Sequence, residues 1–519
     1  MRVRAYTINR EQMTMAKRNA VLVFVHGWSV SNTDTYGGLP ARLRNEAVSR
    51  NIDLQIKHLF LGRYISFHDE VNVPDIARAF QTAVDDELRS LIANGNRFAC
   101  ITHSTGGPVI RDWWHRFYAS VAGSGQCPMS HLLMLAPANY GSALAQLGKG
   151  RLSRLKNWSG GTEPGQGVLN WLELGSAQGW DLNTAWINSG DKVIGARGVF
   201  PFVLTGQTID RKFYDNLNTY TGESGSDGVV RVAAANLNGR LIELEQQAPK
   251  KKGGRIEAPE LVFKKMTTGP KTALRVIHGA SHSGKDMGIM RSVNKKTNHP
   301  KGRELVNSVF DCLAITSPAD YRRLVARQEL ESARVQEDER LEVEDRWLRA
   351  KTTFINDRYA MVVFRVKDDY GYDVSDFDII LTAGKDNDPN HLPQGFFADR
   401  QLNRISRNTV TYYLNYDVMA GTPEIEHDGK VIRSASPGAK SIGFKIEPRP
   451  DSGFVYYRPC EINASQDLLS QALSANTTTL IDIRLRRIVK KNVFKVSKMQ
   501  GDSTAGNFKK TPPGDEITS

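Results

Sequence analysis

The sequence predicts an α/β domain followed by an all-β, sandwich-like domain. In residues 20–315 short apolar strands alternate with stretches of helical period, which is typical of a parallel sheet flanked by helices. After residue 352 the pattern changes to β-branched and aromatic runs separated by turn residues. We therefore divide the chain into an α/β domain, a charged helical connector, a β-sandwich and a disordered tail, at 1–318, 319–352, 353–498 and 499–519.

The α/β half contains six predicted strands, at 20–25, 54–60, 97–102, 132–135, 202–205 and 274–277. Apolar residues at helical spacing predict helices at 74–92, after Gly107 and at 303–315. Residues 143–198 are rich in Gly, Trp and Leu without strand period, which predicts an inserted helical cap. The connector is dense in both charges, and the sandwich strands are predicted at 359–366, 377–381, 409–416, 441–446, 454–457 and 479–489.

Composition excludes several classes of protein. The 519 residues are 40% apolar and 24% charged, which is ordinary globular composition, and no apolar run approaches the ~20 residues that span a bilayer. The first residues carry scattered charges and no apolar core, so we expect cytoplasmic synthesis without a signal peptide. Four widely separated cysteines without a CxxC pair argue against a disulfide framework or a zinc knuckle. No cofactor or metal is predicted, because the acidic loops at 373–376 and 386–388 are also good turns.

The chain is basic, with 69 Lys and Arg against 56 Asp and Glu, or +13. Such an excess favours an anionic lipid surface, nucleic acid or an acidic partner protein. The positive residues cluster at 250–252, 264–265, 295–296 and 484–498. Because no zinc-finger spacing or RNP-like segment accompanies them, nucleic-acid binding is not expected. The basic strip at 484–498 suits anionic lipid head groups, and equally a solvated strand edge guarded by lysines.

A candidate nucleophile lies in the segment RFACITHSTGGPVIR at 97–111. A strand runs directly into a small-residue turn and then a helix, which is the context of a nucleophile elbow with Ser104 at its tip. Gly106 meets the requirement for a small neighbour in that turn, whereas Thr102 departs from it. The amide of Thr105 at the helix N-terminus would stabilise a developing oxyanion.

Three further segments place partners for Ser104 in the chain order serine, acid, histidine. The strand VLVFVHGW at 21–28 ends in a loop whose Trp28 amide would complete the oxyanion hole. SDGVV at 226–230 supplies Asp227, and the loop after the strand at 274–277 supplies His282. Ser104 would attack an acyl carbonyl, His282 would transfer the proton, and Asp227 would orient the imidazole.

Alternatives remain open for two of these roles. His278 and His299 compete with His282 as the base, and the competitors of Asp227 are Glu223, Asp210 and Asp215. The residues predicted to contact substrate are His26, Gly27, His103 and Tyr140.

The blocks VFVHGW, THSTGG, LAPANYGS and SDGVV resemble the conserved blocks of lipases of the α/β-hydrolase superfamily, including the glycosylphosphatidylinositol-deacylase-like and bacterial triacylglycerol lipase branches. The resemblance covers roughly residues 20–315 and implies an α/β-hydrolase domain with an inserted helical cap. In those lipases the Asp of the DG-V/L block and a His beyond the next strand complete the triad, which lands on Asp227 and His282.

More loosely, a lipase domain joined to a C-terminal β-domain is similar to type VI secretion lipase effectors. That resemblance implies an antibacterial enzyme exported to the envelope of a target cell, with an immunity protein or a secretion-spike protein as partner.

These observations predict a serine hydrolase that cleaves carboxylic esters of lipids, with phospholipids as the favoured class. The cap would line an acyl pocket or contact a bilayer through its large apolar residues, or would use them as its own core; they are Leu144, Leu147, Trp158, Leu169, Trp171, Leu172 and Trp180. An amidase, peptidase or thioesterase would use the same triad. A catalytically silent protein that binds lipid or a protein partner is the alternative, if Thr102 distorts the elbow.

Overall fold

The computed structural model describes eleven segments of the chain, namely residues 18–26, 36–61, 68–119, 126–147, 165–210, 222–249, 251–252, 255–256, 259–344, 352–465 and 471–490. Two predicted site residues, Gly27 and Trp28, lie outside these segments, and so does Asp215, an alternative for the acid. Trp158 of the predicted cap and the predicted tail at 499–519 also lie outside them.

A six-stranded parallel sheet forms the centre of the first domain. Strands are numbered in chain order, and the neighbours in this sheet run β10-β5-β4-β3-β1-β2. Its strands read as nearly continuous apolar runs because both faces of the sheet are covered. Their bounds are β1 Arg18–His26, β2 Ile52–Phe60, β3 Phe98–His103, β4 Met129–Leu135, β5 Phe200–Thr205 and β10 Ala273–Val276. All six correspond to predicted strands.

Helices cover both faces of this sheet. They are α1 Leu39–Ser49, α2 Val73–Glu87, α3 Arg89–Ala93, α4 Gly106–Trp114, which continues as a π-helical turn His115–Ala119, α8 Arg303–Leu313 and α9 Pro318–Asp338. The single helix predicted at 74–92 is in fact two, because α2 ends at Glu87 and Leu88 separates it from α3. Its start is set by a reciprocal capping box between Asn72 and Asp75. Among the helices that the structure describes, none has the length and apolarity needed to cross a bilayer.

The predicted cap contains 3₁₀ turns at Ala143–Leu147 and Asp191–Val193 and the helices α5 Gln166–Leu172 and α6 Ala177–Asn188. Its large apolar residues are buried: Trp171 and Trp180 are each 3% exposed, within a cluster that also holds Met361 and Tyr413 of the second domain. The described tryptophans of the cap therefore belong to a core shared by the two domains, instead of an acyl pocket or a bilayer contact.

The second domain is a sandwich of two sheets. One is mixed, with the order β15-β16-β13-β22-β6-β9, and the other is antiparallel, with the order β14-β19-β21. The apolar faces of the two sheets pack together around Phe364, Phe444 and Ile483. The bounds are β6 Arg240–Gln246, β9 Leu261–Thr268, β13 Tyr359–Asp368, β14 Phe377–Ala383, β15 Phe397–Leu402, β16 Thr409–Asn415, β19 Ser441–Pro448, β21 Cys460–Ser465 and β22 Thr478–Leu485. The architecture confirms the predicted fold class.

The remaining described elements are short. Two-stranded ribbons pair β7 with β8, β11 with β12, β17 with β18 and β20 with β23; their bounds are β7 Lys251–Lys252, β8 Arg255–Ile256, β11 Leu341–Glu344, β12 Thr352–Ile355, β17 Ile425–His427, β18 Lys430–Arg433, β20 Val455–Tyr456 and β23 Ile488–Val489. The short helices are α7 Val232–Ala235 and α10 Tyr416–Ala420, with a 3₁₀ turn at Pro389–His391.

The predicted domain division differs from the sheet topology at one place. β6 and β9 lie within the segment assigned to the α/β domain, yet β6 pairs in parallel with β22 and extends the mixed sheet of the sandwich. The alternating burial of Arg240–Gln246 suits a half-buried strand, and its partner lies more than 200 residues away. The two domains are therefore interlocked, because the first contributes two strands to the second.

Candidate active site

Ser104 lies on a sharp turn between β3 and α4. Its backbone has a φ of +53°, a left-handed conformation that residues other than glycine rarely adopt. Such strain at a strand-to-helix turn is the structural signature of a nucleophile elbow. The residue is buried, with 7% of its surface exposed.

The threonine that departs from the expected pattern fits within this turn. Thr102 is fully buried, and its Cβ lies 3.1 Å from the point that a Cβ on Gly106 would occupy. Because Gly106 has no side chain, it leaves room in the turn for the side chain of Thr102. Because Ser104 keeps the left-handed backbone of an elbow, Thr102 does not distort the turn.

His282 and Asp227 meet Ser104 in one hydrogen-bonded chain. The Ser104 hydroxyl lies 3.0 Å from His282 Nε2, and His282 Nδ1 donates to Asp227 Oδ2 over 2.9 Å. His282 and Asp227 are both fully buried. A second link joins their loops, since the His282 amide donates to the Asp227 carbonyl over 2.9 Å.

The carboxylate of Asp227 is held by its own loop. Oδ1 accepts the amides of Val229 and Val230 over 3.1 and 2.8 Å, which leaves Oδ2 for the imidazole. Gly228 makes the turn possible with a φ of +92°. An ionised carboxylate with two amide donors and one imidazole donor can stay buried, because its lone pairs are satisfied.

The competing residues lie elsewhere. The Glu223 carboxylate is paired with Arg231 over 2.7 Å, His278 is exposed with its amide on Glu304, and His299 accepts the Lys301 amide at Nδ1. Asp210 lies beside Gly284, two residues beyond His282. Of the described candidates, Asp227 and His282 are the carboxylate and the imidazole in the hydrogen-bonded chain that reaches Ser104.

The remaining predicted site residues have mixed positions. Thr105 is the N-cap residue of α4, where amides at the start of the helix lack intrahelical acceptors. His26 ends β1, the strand next to β3 in the sheet. Tyr140 is buried with its hydroxyl against Gly239, and burial raises its pKa to about 12, so this position does not favour the predicted contact with substrate.

His103 has a different contact from the one predicted. Its Nε2 lies 3.1 Å from the carbonyl oxygen of His282, and the two imidazole rings have centroids 4.7 Å apart. A carbonyl can only accept, so His103 Nε2 carries the proton. Burial, together with the neighbouring His282, lowers the pKa of His103 well below its usual range, which keeps a second positive charge away from His282.

No sequence pattern points to Glu339, which follows α9. Its Oε1 accepts the amide of Gly279 over 2.6 Å and the hydroxyl of Thr208 over 3.2 Å, so it joins the histidine loop to the loop after β5. Burial raises the pKa of this carboxyl. The high charge of the connector predicts a solvent-exposed helix, and Glu339 lies 60 residues from the amide that it binds.

Within the described segments, one group of potential metal ligands lies far from the site in sequence. Asp386, Asp388 and His391 have side-chain donor atoms within 4.8 Å of one another. Asp386 also bonds the His391 ring over 3.1 Å, and Asp388 accepts the Asn390 amide over 2.8 Å. Both contacts lie within one turn.

No protein-family model matches the chain, and no curated protein matches it. Among solved structures, phospholipase PlaB from Legionella pneumophila is 40% identical over 96% of this chain and 100% of that chain, with a TM-score of 0.78. A second structure of PlaB, in complex with thio-NAD, has the same identity, coverage and TM-score.

An identity of 40% over nearly the whole length of both chains covers the sandwich as well as the α/β domain. The predicted resemblance of the chain to lipases of the α/β-hydrolase superfamily is confirmed. The chain therefore belongs to the family of phospholipase PlaB and is a carboxylic ester hydrolase with an α/β-hydrolase domain.

Proposed function

We propose that the chain is a phospholipase that cleaves carboxylic ester bonds with Ser104, His282 and Asp227 as its catalytic triad. The observation that carries this proposal is the hydrogen-bonded chain from Ser104 Oγ through His282 to Asp227 Oδ2, at 3.0 and 2.9 Å. The left-handed backbone of Ser104 supports it, and the relative that is 40% identical is named a phospholipase.

The proposed reaction begins when Ser104 Oγ attacks the ester carbonyl and His282 Nε2 accepts its proton. Asp227 stabilises the resulting imidazolium through Nδ1–H, and His282 then protonates the leaving alcohol. The Thr105 amide, with that of Trp28, would stabilise the oxyanion. Water then attacks the acyl-enzyme, with His282 again as the base, and releases the fatty acid.

The experiment compares the wild-type protein with Ser104→Ala on a short soluble acyl ester and on phospholipid vesicles. We expect the variant to lose on the order of 10⁴-fold or more in kcat on both substrates. Ser308→Ala is the matched control, because Ser308 is equally buried but lies on α8. Full activity of Ser104→Ala would reject the triad, and activity on esters but not on vesicles would reject the phospholipid substrate.

The alternative of a catalytically silent protein has less support, since Thr102 fits beside Gly106 without moving Ser104 from its elbow. An amidase or thioesterase would share the triad. Matched ester, amide and thioester substrates with one acyl chain separate these activities, and we expect the ester to have the highest kcat/KM.

A surface on the second domain suits contact with an anionic phospholipid membrane. Tyr370, Tyr372 and Phe454, which we call the aromatic corner, are 67%, 62% and 65% exposed. Asp368 joins the two tyrosines to the described part of the basic strip, since it accepts the Tyr370 and Tyr372 amides and pairs with Arg487 over 2.9 Å. The Phe454 carbonyl accepts the Lys490 amide of the same strip over 2.9 Å. Exposed aromatic rings beside cations favour the interface of a membrane that carries negative charge.

Vesicle flotation tests this surface. The variant Tyr370→Ser/Tyr372→Ser/Phe454→Ser should bind phosphatidylglycerol vesicles at least fivefold more weakly than wild type, with unchanged activity on a soluble ester. Val48→Ser removes an equally exposed apolar residue from α1 and should bind as wild type does. Equal binding by wild type and the triple variant would reject the aromatic corner as the contact.

Delivery to a competitor cell remains a proposal that rests on the domain order alone. Directing the wild-type protein to the periplasm of a susceptible bacterium should arrest growth, and Ser104→Ala should not. Harmless wild-type protein, expressed at the same level and active after purification, would reject the antibacterial role.

A further inference from the structure

The loop that carries Asp227 is bound by the second domain through Arg231. This residue is 2% exposed and forms two hydrogen bonds of 2.7 Å with the carboxylate of Glu223 in the same loop. Its Nη2 also binds the carboxylate of Asp399, which lies on β15 of the sandwich. The guanidinium carbon stands 4.0 Å from the ring centroid of Tyr413 on β16. A buried guanidinium with two carboxylates and a ring face is held in one position.

Tyr413 contacts the other end of the same loop. Its hydroxyl lies 3.0 and 3.1 Å from the carbonyl oxygens of Ser224 and Gly225, and its ring stacks on Tyr359 of β13 with centroids 4.5 Å apart. Gly225 has a φ of +73°, and a Cβ there would lie 2.4 Å from the Tyr413 hydroxyl. Only glycine permits this close approach between the loop and the sandwich.

These contacts reach Asp227 through the backbone of a closed loop. Ser226 and Arg231 form an antiparallel bridge, and the Val232 amide donates to the Gly225 carbonyl over 2.9 Å. Between them the Asp227 amide donates to the Val230 carbonyl over 3.2 Å. A displacement at Gly225 or Arg231 must therefore move the carboxylate that binds His282.

We propose that Tyr413, Arg231 and Asp399 are positioning residues for Asp227, so that the sandwich forms part of the catalytic apparatus. This inference rests on the proposed triad. Catalytic geometry tolerates displacements of only about 0.5 Å, so the supporting contacts of an acid affect the rate even though they never touch the substrate. The basic strip suggests a role of the second domain in membrane attachment, and these contacts give the domain a second role.

The test compares two neighbouring tyrosines on β16. Tyr413→Phe removes the hydroxyl that binds the Asp227 loop, and Tyr412→Phe removes an equally buried hydroxyl that binds the Ile379 carbonyl over 2.6 Å within the sandwich. On a soluble ester we expect Tyr413→Phe to lower kcat about fivefold with KM unchanged. Tyr412→Phe should stay within twofold of wild type.

The pH profile supplies a readout that a merely structural role would not change. Among the described residues, Asp227 and His103 are the titratable side chains that contact the His282 ring. A less well placed Asp227 stabilises the imidazolium less, so the acid limb of kcat/KM should move to lower pH in Tyr413→Phe. The limb of Tyr412→Phe should coincide with that of wild type.

Arg231→Lys and Asp399→Asn extend the test from the other side of the loop. Lysine cannot form the two parallel bonds to Glu223, so we expect a larger loss in kcat than in Tyr413→Phe. Asp399→Asn keeps an acceptor for Arg231 and should retain more activity than Asp399→Ala. Thermal unfolding of each variant shows whether it is folded under the assay conditions.

The possible outcomes separate the two proposals. Equal effects of Tyr413→Phe and Tyr412→Phe on kcat and on the acid limb, with Ser104→Ala inactive, would overturn the positioning role and leave the triad intact. Full activity of Ser104→Ala would overturn the triad itself.

Discussion

The Nε2–H group of His103 donates to the backbone carbonyl of His282 over 3.1 Å, so the residue before the candidate nucleophile holds the loop of the proposed general base. The two histidines are 179 residues apart in the chain. This contact joins the end of β3 to the loop after β10, at the edge of the parallel sheet where the strands have their carboxyl ends.

His103→Phe should lower kcat on a soluble ester about tenfold with KM nearly unchanged, because phenylalanine keeps the ring contact but cannot bind the His282 carbonyl. Steady-state kinetics measure this change. The control is His131→Phe, since His131 is a buried histidine whose Nε2 lies 2.8 Å from the Ile315 carbonyl, away from the site. A similar drop in kcat for both variants would contradict a specific role of His103.

Stability should fall in acid partly because of His103. Burial lowers the pKa of His103 well below its usual range. Below pH ~6.5 the unfolded chain therefore binds a proton at this histidine that the folded chain does not bind. The contribution of the neutral ring is thus present above that pH and is lost as the pH falls. Urea unfolding between pH 7.5 and 5.5 should show a smaller loss for His103→Phe. His58 and His115 also have lowered pKa values but are present in both proteins, so the difference isolates His103.

Asp227→Asn should lower kcat by roughly four orders of magnitude, because an amide favours the wrong tautomer of His282. Glu223→Gln is the matched control, since Glu223 was the rival acid and its carboxylate pairs with Arg231. We expect its loss to stay below tenfold. Assays on a soluble ester decide the matter, and a greater loss in Glu223→Gln than in Asp227→Asn would exchange their roles.

Gly106→Ala should lower kcat, because the added methyl group would lie 3.1 Å from the Thr102 Cβ and push on the elbow. The double variant Thr102→Gly/Gly106→Ala removes the opposing Cβ and should recover part of the lost activity. The measurement is a double-mutant cycle in kcat/KM. Additive effects of the two substitutions would show that these side chains do not compete for space.

Arg42→Met should destabilise the fold by about 3 kcal/mol or more, because loss of the buried guanidinium leaves its hydrogen-bond acceptors unpaired. The Arg42 guanidinium is fully buried and binds the carbonyls of Asn294 and Thr297 over 3.1 and 2.7 Å. It thereby holds the segment that follows the histidine loop. Chemical denaturation measures the loss, and Arg44→Met, at an exposed position of the same helix, should change stability by less than ~0.5 kcal/mol.

Local sequence patterns were sufficient for much of this protein. The strands of the parallel sheet and the turn at Ser104 follow from apolar runs and small residues that are close together in the chain. Chain order alone also proposed Asp227 and His282, because an acid and a histidine followed strands downstream of the serine.

The tertiary structure decided what local patterns cannot express. It pairs Glu223 with Arg231 and brings Asp227, instead of Glu223, to His282. It also places the described tryptophans of the cap in a core. It also moved the strand Arg240–Gln246 into the sandwich beside β22. Each outcome depends on contacts between residues far apart in the chain, whereas periodicity and turn chemistry report only on neighbours. For this reason local patterns predict the strands, the helices and the candidate residues, whereas long-range packing brings the partners of the site together.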